Sequence, residues 1–401
     1  MARQGRAMRF SYGILLIMQS RVILSAGNFF FSIFSGLVTI SLLPYLSSIM
    51  PAAYGGFVVA GSALATTVLF PFLPELVERY GAQYIALVLA FGETVVLFAL
   101  AASPGAFTAV LLMGMTIAVQ PFLSYQFDVL LDATNTDTTT TGRVRALFRT
   151  AWNIGSLAAP LLLGALLDTS NSYDRVFIAA AGILVPIIIL FSTKRLPKGP
   201  TPKLFHIYGT LIHIFRHRDL AAVTIANLLL YLFSVWMPLY APVYLHDVLG
   251  FPWSDLGLVF AIMVTPYVLL EYPAGIIADK YLGDKELMLL GFIIAGGATA
   301  ALGALTKSAS LQVITVILIL SRVGAALIEA MVEAHFFRRV SRRDIDAIGV
   351  FRSVWPLSFV VGPLVGSLIL IFGNYELLFL LTGGFLVIAG IVTSFLIKDV
   401  R

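Results

Sequence analysis

The chain has 401 residues, 59% of them hydrophobic and only 12% charged, with 26 Lys and Arg against 21 Asp and Glu. A soluble domain is about 45–50% apolar and about 25% charged, so these side chains cannot solvate a globular surface of this size; a soluble enzyme and a disordered chain are both excluded. Cysteine is absent, which removes disulfide scaffolds and thiolate chemistry.

The apolar residues fall in runs of about 20 or more between short charged stretches, the pattern of membrane-spanning helices. In chain order the predicted spans are 22–46, 54–75, 83–103, 106–131, 145–168 and 174–193, then 219–245, 254–278, 286–306, 310–335, 347–372 and 375–397. The first follows Arg3, Arg6, Arg9 and Arg21, a basic start like that of a signal peptide, but it is too long for a cleaved apolar region and is expected to remain a helix. An even number of spans returns both termini to one side. All of the Lys and Arg residues except Arg175, Lys307 and Arg322 then lie on that side. Because translocating positive charge is unfavourable, that side is expected to be the cytoplasm, and the protein to reside in the cytoplasmic membrane.

The two halves repeat. Asn28, Ser35 and Tyr45-Leu46 match Asn227, Ser234 and Tyr244-Leu245 at a separation of 199 residues; Pro51, Gly56 and Glu78-Arg79-Tyr80 match Pro252, Gly257 and Asp279-Lys280-Tyr281 at 201; Phe148-Arg149, Trp152 and Pro160 match Phe351-Arg352, Trp355 and Pro363 at 203. With six spans per half, this is a parallel repeat about an axis along the membrane normal. The expected division is a bundle at 1–194, a cytoplasmic linker at 195–218 and a second bundle at 219–401. Within the linker, 204–215 suits a helix lying in the membrane interface.

The segment Gly275-Ile-Ile-Ala-Asp279-Lys280-Tyr-Leu-Gly283-Asp284-Lys285, between spans 8 and 9, looks like the loop motif Gly-x-x-x-Asp-Arg/Lys-x-Gly-Arg/Lys with one residue inserted. Its counterpart between spans 2 and 3, Glu78-Arg79-Tyr80-Gly81-Ala82-Gln83, has Glu for Asp and lacks the final cation. Together with the 6+6 parallel halves and the basic central loop, these residues resemble the major facilitator superfamily over essentially the whole chain. The resemblance implies an all-α membrane fold of twelve helices in two six-helix bundles, and transport by alternating access. It also implies a cytoplasmic gate in which Asp279 faces the start of helix 5 near Arg149 and Glu78 the start of helix 11 near Arg352, with Asp128 and Glu333 relaying charge. A carboxylate at a helix end can accept from another helix's open N–H groups and pair with a cation there.

Two further patterns bear on function. Gly155-x-x-x-Ala159-Pro160-x-x-x-Gly164 and Gly362-Pro363-x-x-Gly366 resemble the glycine–proline motif of drug:proton antiporters. Small residues let helices approach closely and proline kinks them. Arg322 lies in the middle of span 10, where an unpaired cation is costly; Glu329 and Glu333, seven and eleven residues on, fall within about 20° of it on a 3.6-residue helix. The expected role of Arg322 is to bind an anionic substrate group or to hold a protonatable carboxylate, with Glu329 the carboxylate, against a fixed structural ion pair between helices. Asn28, Asn227, Tyr231 and Gln126 could offer neutral hydrogen bonds to a substrate or join helices. Glu93, in span 3, is expected to be a neutral carboxyl bonded to a neighbouring helix.

No phosphate-binding loop, HExxH or nucleophile elbow occurs, so neither ATP hydrolysis nor peptidase chemistry is indicated. His206, His213 and His217 share a face without carboxylates and suit a basic patch better than a metal site. The expectation is a monomeric, non-enzymatic secondary transporter without cofactor or metal, whose partners are the bilayer, a small-molecule substrate and protons as coupling ion, with no nucleic acid. Drug or metabolite efflux is the first expected direction. Uptake or exchange of an organic anion or sugar is the alternative, and a non-transporting receptor or assembly subunit on the same fold is the reading from another class.

Overall fold

The computed structural model describes residues 2–134, 141–168, 172–194, 196, 214–280, 282–340 and 345–397; the side chains of 2–18, 141–143, 268, 271, 272, 279, 280, 345 and 346 are not among those described. The regular elements among the described residues are all helical. In lipid every backbone polar group must find a partner within its own segment, and a long apolar run can do so only as a helix.

The helices are α1 (Ala2–Ile49), α2 (Ala52–Tyr80), α3 (Ala82–Ala101), α4 (Ala106–Ala133), α5 (Thr141–Asp168), α6 (Asp174–Thr193), α7 (Arg218–Val243), α8 (Trp253–Ile262 and Thr265–Lys280), α9 (Asp284–Gly303), α10 (Leu311–Arg339), α11 (Ile345–Phe372) and α12 (Tyr375–Leu396). Among the described residues, eleven helices are long and apolar enough to cross a membrane. The exception is α8. One continuous span at 254–278 is expected from hydropathy, but the helix breaks at Met263 and Val264. Pro266 has no N–H to donate to the Ile262 carbonyl; the Thr265 hydroxyl donates to it instead, at 2.8 Å. α2 is likewise interrupted by a 3-10 turn at Phe70–Phe72 around Pro71, and α7 ends in a π turn at Tyr244–Val248. α1 begins well before residue 22, because no proline stands between Ala2 and its apolar run.

The chain packs as two compact units, residues 1–41 with 64–204 and residues 42–63 with 205–401. Relative to a division at residue 194, the segment 42–63 joins the second unit. Gly56 accounts for its fit there: a Cβ at that position would stand 2.4 Å from the Pro363 carbonyl oxygen and 2.6 Å from the Tyr240 hydroxyl.

Each unit repeats the same internal contacts. In the first, Asn28 on α1 donates through Nδ2 to the Phe148 carbonyl of α5, at 2.9 Å. In the second, Asn227 on α7 donates to the Phe351 carbonyl of α11, at 3.1 Å. In the second unit α9 meets α10 and α12 through glycine. A Cβ on Gly324 of α10 would lie 2.4 Å from Ala295 N of α9, and one on Gly383 of α12 would lie 2.3 Å from Ala300 N of α9. Lipid offers no hydrophobic gain for joining helices, so close backbone approach supplies the dispersion contacts that hold them.

Candidate functional site

Arg322 sits on α10 inside the second unit, 6% exposed. Its guanidinium carbon lies 5.0 Å from the centre of the Phe233 ring on α7. A desolvated cation over an aromatic face gains about 2 kcal/mol, which offsets part of the about 2.5–3.5 kcal/mol that insertion scales assign to an arginine at mid-membrane. Its Nε is buried and has no hydrogen-bond partner among the described residues. The guanidinium is therefore incompletely hydrogen-bonded at that atom. Of the two acids on the same helical stripe, Glu329 is half-buried and Glu333 exposed.

The neutral candidates divide by what they touch. The side-chain amide groups of Asn28 and Asn227 are engaged by the interhelical bonds above. Tyr231 is half-buried on α7. Gln126 on α4 is fully buried, and both polar atoms of its side chain lack a partner among the described residues. Nearby on the same helix Gln120 accepts from Ser35 of α1, at 2.6 Å. Glu93, 1% exposed on α3, interacts with the Thr116 hydroxyl of α4, but neither carboxyl oxygen nor that hydroxyl closes a well-formed hydrogen bond.

At the loop motifs, Glu78, Arg79, Asp128, Arg149, Glu333 and Arg352 are all exposed, and Arg79 lies 5.3 Å from the Tyr80 ring centre. The side chains of Asp279 and Lys280 lie outside those described, as do His206 and His213 and, apart from Ile214 and Phe215, the expected interfacial segment. Gly81 ends α2 at φ +87°, a left-handed conformation that favours glycine. Gly275 faces open space. The Gly283 N–H, at the start of α9, is capped by Glu286 Oε2 at 3.0 Å.

Where the second-half motif has its last cation, Lys285 lies 5.2 Å from the Phe395 ring of α12. The first-half position is Gln83. Its Nε2 donates to the carbonyl oxygens of Phe191 and Lys194 at the end of α6, and its Oε1 accepts from Leu196 N at 3.0 Å. The missing cation is thus replaced by a neutral clamp that closes orphan carbonyls of a helix end.

The glycine–proline motifs pack helices in both units. Gly155 brings α5 against α1, where a Cβ would meet the Phe29 carbonyl at 2.5 Å; Pro160 and Gly164 are buried further along. The Gly362 carbonyl accepts from Trp236 Nε1 at 2.8 Å, and the Pro363 carbonyl from the Tyr240 hydroxyl at 3.0 Å. Gly366 lies under the Tyr240 ring, with only 2.4 Å between its Cβ position and Cζ.

One polar cluster escapes the motif-based reading. His335 on α10 is fully buried between Asp219, in the first turn of α7, and Asp284, in the first turn of α9. Arg338 pairs with Asp284 at 3.1 Å and Arg339 with Asp219 at 3.0 Å. A signal existed: acids open two helices while His, Arg and Arg recur one turn apart at the end of a third, each complementing its helix dipole.

A model of the Major Facilitator Superfamily matches residues 24–265 and 241–401. No curated protein sequence matches the chain. Among solved structures, a bacterial homolog of the human lysosomal transporter Spinster, inward-facing and unoccupied, is similar with a TM-score of 0.75 at 12% identity, over 95% of this chain and 97% of that one. The nucleoside transporter NupG gives 0.73 at 15%, over 94% and 98%. A POT family transporter in complex with a thioalcohol-conjugated peptide gives 0.71 at 13%, over 93% and 95%. At such identities the likeness establishes the fold, and the family model covers nearly all of the chain. This multi-pass membrane protein, with the fold of a secondary transporter, belongs to the major facilitator superfamily.

Proposed function

We propose that the protein is a proton-coupled secondary transporter that moves a small molecule by alternating access, and that its cargo carries an anionic group met by Arg322. The observation that carries this reading is the buried guanidinium with its unpartnered Nε, supported from one side by Phe233. Intramembrane charges generally mark pathways, and an arginine presents a planar fork matched to carboxylate or phosphate oxygens. Glu329, two turns along α10, supplies a carboxylate for the proton. No ATP-binding motif is present, so an ion gradient would drive any uphill step.

Outward movement of a drug or metabolite is favoured by the glycine–proline motif alone. The packing of those glycines and prolines accounts for them in both units without reference to direction, so the cargo class has the better support. On this reading the membrane is the cytoplasmic one, both termini face the cytoplasm and the working form is a monomer.

The test is a thermal-shift screen of the purified protein against organic anions, sugars and lipophilic cations, with Arg322→Gln in parallel. A ligand at 100 times its dissociation constant adds about 2.7 kcal/mol of stability. An anion should stabilise the wild type and not the variant. Stabilisation of both by lipophilic cations, with no anion effect, would overturn the assignment of Arg322 and move efflux of cations ahead.

A further inference from the structure

The cluster around His335 has a feature that the transport reading does not use. The ring Nδ1 lies 3.3 Å from Asp284 Oδ2, and Nε2 lies 3.2 and 3.3 Å from the two carboxylate oxygens of Asp219. A neutral imidazole has one N–H and one lone pair. In either tautomer, one ring nitrogen would therefore point a lone pair at a carboxylate. Both contacts become hydrogen bonds only when an additional proton is present, on the ring or on one of the acids. Asp284 Oδ1 is buried and has no partner among the described residues, so the printed contacts of this carboxylate, with His335 and Arg338, both fall on Oδ2.

The surroundings fit a proton. His335 is near the C-terminal end of α10, whose open carbonyls favour a cation, while both acids sit at helix N-termini. Arg338 and Arg339, from the same helix, oppose added positive charge. Each is paired with one of the two acids, however, and their side chains are 37% and 33% exposed, so water screens them. From α9 the facing acid is Asp284; Glu286 is turned to the Gly283 N–H and Lys285 towards Phe395. From α7 it is Asp219. α8 also packs on α10, and its Asp279 and Lys280 side chains are outside those described. On α11, Phe351 stacks on Phe336 at 3.9 Å while Arg352 is exposed.

We propose that His335, Asp219 and Asp284 form a proton-binding site that fastens the ends of α7, α9 and α10, and makes the second unit respond to pH on that face of the membrane. It is independent of the cargo and of Arg322. The folded cluster binds a proton that the unfolded chain holds less tightly, so the stabilisation is present at low pH and lost as pH rises.

The experiment follows the apparent Tm of the purified full-length protein between about pH 5 and 8, the range in which histidine charge changes, with no ligand added. The wild type should lose several degrees on raising pH, beyond the change seen in His335→Gln. His246→Gln, at a histidine whose Nδ1 contacts the Phe251 carbonyl and whose Nε2 stands 4.0 Å from a single acid, Asp247, should change the profile less than His335→Gln does. Should His335→Gln fail to fold, Asp284→Asn carries the test, since it keeps the shape while removing one acidic partner, and should flatten the profile. Parallel profiles for the wild type and either cluster variant would overturn the site. So would a wild type that gains stability with pH relative to that variant.

Discussion

Gly383 and Gly384 are adjacent in α12 and face different surroundings, which makes them a direct test of how the second unit is held. A methyl added at Gly383 would stand 2.3 Å from Ala300 N, 2.5 Å from the Gly296 carbonyl oxygen and 2.8 Å from Ala300 Cα. All three are backbone atoms, so no side chain can swing aside. Reaching ordinary contact requires α9 and α12 to part by about 1 Å, and a radial gap of about 0.5–1 Å forfeits a quarter to a half of each dispersion contact. Overpacking of this kind costs about 1–3 kcal/mol. At Gly384 the added methyl meets nothing within 4 Å, and alanine in a helix gains about 0.5–1 kcal/mol over glycine. The helix gain is common to both substitutions, so they should differ by the overpacking cost, about 1–3 kcal/mol, with Gly383→Ala the less stable. Thermal unfolding of detergent-purified Gly383→Ala and Gly384→Ala, ranked at one scan rate because membrane proteins often unfold irreversibly, reads the difference. A Gly383→Ala protein as stable as Gly384→Ala would refute close backbone packing between α9 and α12.

Further expectations use the same preparation. Asn28→Ala and Asn227→Ala each remove one interhelical hydrogen bond and should each lower stability by about 0.6–1.7 kcal/mol; the two losses should be similar, because the two bonds are counterparts in the repeat. Gly366→Ala should destabilise through its clash with Tyr240. In the double mutant with Tyr240→Leu, the combined cost should fall below the sum of the singles, and strict additivity would show that the two positions do not touch. Gln83→Leu should free the end of α6 by removing its contacts with Phe191, Lys194 and Leu196, seen as faster tryptic cleavage after Lys194; an unchanged rate would mean that the clamp is dispensable. Arg322→Lys keeps the charge but loses the planar fork, so an anion that stabilises the wild type should shift it less, and an equal shift would mean that charge alone is read.

The fold was legible in the sequence because the solvent enforces it. Long apolar runs in lipid can satisfy their backbones only as helices, so the spans follow from local composition and the doubling of the halves from the spacing of matched residues, while the family resemblance rested above all on the loop residues 275–285. Even the break in α8 was written in a local residue, Pro266, though hydropathy alone passes over it. What hydropathy cannot convey is which polar side chain finds which partner. Asn28 and Asn227 could as well have met a substrate as a carbonyl, and their partners lie 120 and 124 residues away in the chain. Gln83 reads as a lost cation until the end of α6 is placed beside it. His335 contacts acids 51 and 116 residues away, on two helices that share no motif with it. The sequence therefore determined the helices and their repeat, where each residue's own environment decides the outcome. The clamps, the glycine seams and the charge cluster were decided only by tertiary structure, because a buried polar group takes its meaning from what the fold brings within about 3 Å of it.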